Sequence, residues 1–94
     1  MKNIFQVEFY GEIDINSFWV NGRFIEGDVL NIGDIFTTFK DDLNINEVNY
    51  KILDILMYKK SIPTIDIGMT GRIILLGKFS FIPKKSFELI CNNR

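Results

Sequence analysis

The sequence contains no histidine and no alanine, and it has one cysteine and two prolines among its 94 residues. Without histidine there is no imidazole to move protons or hold a metal. Histidine-dependent serine and cysteine triads and histidine zinc sites are therefore excluded. A single cysteine, Cys91, closes no internal disulfide, and Met1 to Tyr10 lacks a charged stretch leading into an apolar one, so a reducing cytoplasm is the expected location. Long apolar runs are missing too. Ile73 to Leu76 is the length of a strand, so neither a transmembrane helix nor a membrane partner is expected.

Sixteen isoleucines and nine phenylalanines stand where alanine is absent. Alanine is the best helix former, whereas Ile and Phe suit the pleated, half-buried surface of a sheet, so the composition predicts an all-β chain. Hydrophobic residues make up 47% and charged residues 24%, enough apolar material for one core without crosslinks, and residues 1–94 are read as a single domain. The net charge of −1 hides a split: residues 1–47 hold nine acids against three bases, and residues 48–94 hold three against eight. Strands from both halves interleave in a barrel, so this polarity need not become two charged faces.

The chain is punctuated by turns about every eight residues, as in a small barrel or sandwich. Phe5, Val7 and Phe9 alternate with Gln6 and Glu8, which predicts a strand over 3–10 with one buried face, ended by Gly11 and followed by a short acidic connection. Ser17 to Glu26 reads as strand but contains Asn21-Gly22, locally a strong hairpin signal. Short strands are predicted at Val29-Leu30 and Ile35 to Phe39, separated by the Asn31 to Asp34 turn. Lys40 to Glu47 reads as an exposed loop. Val48 to Tyr58 fits either a helical face (Val48, Ile52, Ile55, Leu56) or a strand, and the β-rich surroundings favour strand. Turns are predicted at Lys59 to Ser61 and Gly68 to Gly71, with a short extended segment at 65–67. Strands are predicted at 72–77, 79–82 and 86–90, the last two divided by Pro83-Lys84-Lys85.

No motif for chemistry survives inspection. Glu12, Asp14, Asp28 and Asp34 are placed as turn formers and solvated charges, not as a catalytic carboxylate pair. Asp42 to Asn46 imitates the start of a calcium loop, but the sixth position is Glu47 where Gly is needed and the twelfth is Leu53 where Glu is needed. Gly68-x-x-Gly71 leads into a strand, so it is no phosphate cradle. Cys91 has no base and reads as a small apolar residue of the last strand. Trp19 reads as core or rim, not as a base-stacking platform, since no second aromatic stands near a basic cluster in the sequence. No catalytic residue, cofactor, metal or small-molecule substrate is expected. The candidate partner-binding residues are the acids Glu12, Asp14, Asp41 and Asp42 and the lysine pairs Lys59-Lys60 and Lys84-Lys85. Such lysine pairs are also common as plain solubilising turns.

The run Gly22-Arg23-Phe24-Ile25-Glu26-Gly27-Asp28-Val29-Leu30-Asn31-Ile32-Gly33-Asp34 resembles the Gly-Arg-aliphatic, Gly-x-aliphatic and Gly-Asp signature in the second domain of translational GTPases such as elongation factor Tu. Ile67-Gly68-Met69-Thr70-Gly71-Arg72, followed by Ile73 to Gly77, is similar to that domain's later turn and strand. The resemblance implies a small, closed or nearly closed antiparallel β-barrel in which Gly22 bends a continuous strand. The GTPase motifs themselves are absent from the sequence, so GTP hydrolysis is not implied. The expected function is that of a small non-enzymatic protein-binding domain, one form being an immunity protein or antitoxin that masks a toxin. An RNA- or ribosome-associated module is the alternative, disfavoured by an acidic pI of about 5.3.

Overall fold

In a computed structural model, which describes residues 2–78 and 86–92, the chain is all-β. Its strands are β1 (Lys2–Asp14), β2 (Ser17–Glu26), β3 (Val29–Asn31), β4 (Ile35–Lys40), β5 (Ile45–Met57), β6 (Lys60–Ile62), β7 (Thr64–Asp66), β8 (Thr70–Leu76) and β9 (Phe87–Asn92). Six of them close into an antiparallel barrel in the order β4-β9-β1-β2-β8-β5, with β5 pairing back onto β4. The short β6 extends β5, and β3 and β7 form a separate two-stranded ribbon. Among the described residues no helix is long and apolar enough to cross a membrane. The predicted strand at 79–82 and the residues Pro83, Lys84 and Lys85 lie outside the described residues.

Closure removes sheet edges and sends alternate side chains into one core. Phe5, Val7, Val20, Phe24, Ile73, Leu75 and Leu89 fill it from four of the barrel strands, and Leu30 and Ile65 enter it from the ribbon. Phe39 packs on Phe87 with ring centroids 4.7 Å apart, and Phe18 meets the buried Tyr50 edge to face at 5.0 Å. Burial raises the Tyr50 pKa above its ordinary value, so the ring sits in the core uncharged.

Several sequence expectations need correction. Gly11 does not end the first strand: β1 runs on to Asp14, with Gly11 opposite Trp19, and the supposed acidic connection is strand. Phe9 is not on the buried face. The register slips between Val7 and Phe9, leaving Glu8 as an extra residue opposite Gly22, and this bulge reverses the alternation so that Phe9 is 66% exposed. The loop predicted over Lys40 to Glu47 shrinks to 41–44, because Ile45, Asn46 and Glu47 already pair with β4. Lys60 and Ser61 are strand, leaving Tyr58-Lys59 as the turn, and Thr70-Gly71 belong to β8.

Residues 48–57 are strand, and β2 is continuous through Asn21-Gly22. At Gly22 the backbones of β1 and β2 come so close that a side chain would run into the Gln6 carbonyl oxygen. Glycine is required there because no side chain fits between the two backbones. Gly27 and Gly33 have φ of 124° and 98°, the left-handed region in which a β-carbon is strained.

The Gly27-Asp28 turn is held by a buried polar clamp. Asn3, which is fully buried, accepts a hydrogen bond from the Asp28 N–H at 3.0 Å and donates from Nδ2 to the Val29 carbonyl at 3.4 Å. Replacing it by an isosteric apolar residue strands the Asp28 N–H and the Val29 carbonyl. Asn3→Leu is expected to cost about 1–3 kcal/mol in chemical denaturation. A midpoint equal to that of the parent would show that the clamp contributes nothing.

Candidate functional site

The antiparallel ring gives the barrel two ends. β1, β4 and β8 run one way and β2, β5 and β9 the other, so the β1–β2 and β4–β5 turns open at the same end and the β5–β6 turn at the opposite end. Four candidate acids, Glu12, Asp14, Asp41 and Asp42, therefore gather toward one end, and Lys59-Lys60 lies at the other.

Two of these acids are occupied in shaping turns. Asp14 Oδ1 accepts the Asn16 N–H at 2.8 Å, and this bond, with a further one from the Ser17 side chain, holds its carboxyl below the usual value of 3.8. Asp41 Oδ1 accepts the N–H groups of Leu43 and Asn44 at 2.9 and 2.7 Å, closing the β4–β5 turn. Asp34 likewise accepts the Asn31 N–H at 2.9 Å. Asp41 and Asp42 border a small cleft of about 230 Å³ with Lys40, Gln6 and Glu88. Glu12 is exposed on β1. Cys91 is buried in β9, where burial and, secondarily, the charge of Asp34 push its thiol pKa up and keep it protonated at neutral pH. Among the described residues no group of three or more acids or cysteines is placed to hold a metal.

A concavity lies on the outer wall, across β1, β2, β8 and the end of β5. It is an open groove of about 690 Å³ whose walls include Phe9, Arg23, Leu56, Tyr58, Lys59 and Arg72. The pairing register explains this assembly. Phe9 pairs with Asn21, Asn21 with Arg72 and Arg72 with Leu56, so one outward row crosses four strands. Phe9 joins the row only because of the Glu8 bulge. At the rim, Tyr58 and Lys59 form the two-residue β5–β6 turn with φ of 52° and 64°. Both central residues of such a turn need positive φ, usually supplied by Asn or Gly, and a residue with a β-carbon is strained there by about 1–2 kcal/mol.

Arg72 is fixed in place. Its Nε donates to Asn21 Oδ1 at 2.8 Å, and its guanidinium lies 4.2 Å from the centroid of the Trp19 ring. The indole in turn packs against Gly11, where a β-carbon would approach it to 2.6 Å. Arg23 is anchored by donation from Nε to the Gly68 carbonyl at 3.1 Å.

Trp19 sits half-buried at the rim with Arg72 over its ring. Folding brings Phe9, Tyr58, Arg23, Lys59 and Arg72 together around the groove from segments far apart in sequence. Of the candidate partner-binding residues, Lys59 lines the groove, Lys60 follows it as an exposed residue of β6, and Lys84 and Lys85 lie outside the described residues. Sequence reasoning missed Phe9, Arg23 and Arg72; the strand register, not any local motif, unites them.

The sequence matches no protein-family model and no curated protein.

The Asp14 carboxylate supplies a pH test. A folded-state pKa below the ordinary 3.8 means its contribution is complete above that value and is lost as pH falls through the lowered one. Asp14→Ala should therefore melt below the parent at neutral pH, with the gap closing on acidification below about pH 3.8. A gap that does not vary between pH 7 and pH 2.5 would contradict the turn-capping role.

Proposed function

We propose that this chain is a non-enzymatic protein-binding module that engages its partner through the outer groove. The observation that carries this reading is the groove's composition and construction. Tyr and Arg, which line the groove, are among the residues that dominate binding energy at protein interfaces. Here they are combined with an exposed Phe9 that a bulge turns outward and a rim turn held in strained backbone. The strained backbone of the Tyr58-Lys59 turn is not needed to close the barrel, and strain retained at a surface site points to use of that site.

The likeness of 22–34 and 65–77 to the second domain of translational GTPases supports the same class of role, a barrel serving as a docking surface. An immunity protein or antitoxin is one form of it. In that form the acids Glu12, Asp14, Asp41 and Asp42 at one end would add attraction for a basic toxin, and the buried, protonated Cys91 suits a cytoplasmic setting. The groove's aromatics and arginines favour a second reading, an RNA- or ribosome-associated module. Against it, the Trp19 ring is already engaged by Arg72 and Gly11 and does not present a free stacking platform.

Site-specific photocrosslinking in producing cells separates these readings. A benzophenone side chain in place of Tyr58 at the rim is expected to capture a protein. The same group in place of Leu43, which is 90% exposed in the β4–β5 turn, is not. Phe9→Ala combined with Arg72→Ala should lower the Tyr58-directed capture at least about 30-fold while the thermal midpoint stays near that of the parent. Capture of RNA from the rim position, or equal protein capture from both positions, would overturn the proposal.

A further inference from the structure

We infer that the groove takes an acidic, extended segment of the partner, with carboxylates held by Arg23 and Arg72 and an apolar side chain seated against Phe9 and Tyr58. The inference rests on the protein-binding reading above and specifies the chemistry of what binds. Charge is the first argument. The groove carries three cations, Arg23, Lys59 and Arg72, against one acid, Glu8, in a chain whose net charge is −1. The local excess thus opposes the sign of the whole molecule, which selects an anionic ligand at this face.

Preorganisation is the second argument. Each guanidinium is anchored through Nε to a neutral oxygen, Arg72 to the Asn21 side chain and Arg23 to the Gly68 carbonyl. Arginine has five N–H donors in a fixed fork, so anchoring Nε holds the orientation while the terminal nitrogens keep the geometry that matches a carboxylate. Residues 72 and 23 sit on adjacent strands, two residues apart in register, because Asn21 pairs with Arg72 and Arg23 with Thr70. That offset matches the two-residue repeat of an extended peptide, whose alternate side chains face one way. The apolar contacts come from Phe9 at 66% exposure and Tyr58 at 91%. A nucleic acid would also satisfy the arginines, but the chain's one indole, Trp19, is covered by Arg72 and packs on Gly11 instead of offering a free stacking face, and the acids elsewhere on the chain repel a polyanion.

The test is titration of the full 94-residue chain, followed by the amide resonances of the labelled protein. The probes are three: the heptapeptide Leu-Ser-Glu-Ser-Glu-Ser-Leu, whose carboxylates and leucines share one face of an extended chain, the same peptide with Lys for Glu, and oligouridylate. The Glu–Leu peptide is expected to move the resonances of Asn21, Thr70 and Arg72 and to bind at least tenfold more weakly to Arg72→Gln and to Arg23→Gln. Glu8→Gln removes the one opposing charge and should tighten binding about two- to fivefold, a gain that a misfolded variant cannot mimic. If the Lys–Leu peptide seats in the groove instead, the acidic assignment falls while the protein-binding reading stands. If neither peptide moves those resonances, or if oligouridylate alone does, both fall.

Discussion

The structure depends on how closely β1 crosses β2 at Gly22. Here the Gln6 carbonyl meets a residue without a side chain, so the two backbones approach more closely than any other residue would allow. Directly beside this contact the register shifts, with Glu8 as an extra residue of β1. That insertion reverses which face of β1 looks inward: Val7 is fully buried and Phe9, two residues later, is exposed. The same constraint thus closes the core and places an aromatic ring outside it, at the head of the row that continues through Asn21 and Arg72 to Leu56.

Other bulges repeat the principle and account for an oddity of the composition. The extra residues at 13, 25 and 53 are Ile13, Ile25 and Leu53, each between 38% and 49% exposed. A chain so rich in isoleucine places some of it on the surface because each shift in register costs one alternation. The bulge at Leu53 also explains why residues 48–58 fit a helix as well as a strand. Buried Tyr50, Ile52 and Ile55 are spaced by two and then by three, and a spacing of three is what a helical face shows.

What was legible in the sequence followed from composition and from glycine. Absent alanine and abundant Ile and Phe marked an all-β chain, and the order of glycine turns matched a closed barrel. Asn21-Gly22 read as a bend in one strand because its neighbours resembled a known pattern, although local rules favour a hairpin. The two-residue turn at Tyr58-Lys59 has neither Asn nor Gly, and the sequence places it one residue late, at Lys59 to Ser61. The groove was illegible. Phe9, Arg23, Tyr58 and Arg72 are united by register across four strands, and register depends on bulges that an alternating pattern conceals. Of the charged residues that stand out in the sequence, Asp14 and Asp41 shape turns and Lys59 lines the groove.

If the bulge governs both core and surface, the two phenylalanines that flank it must differ sharply in their contribution to stability. The direct measurement is urea denaturation of Phe5→Ala and Phe9→Ala beside the parent. Phe5 is fully buried, and its truncation should cost about 3–5 kcal/mol. Phe9→Ala should stay within about 1 kcal/mol of the parent, as exposed positions do. Comparable large losses at both positions would mean that Phe9 packs in the core as simple alternation predicts, and would contradict the account of the fold and the groove together.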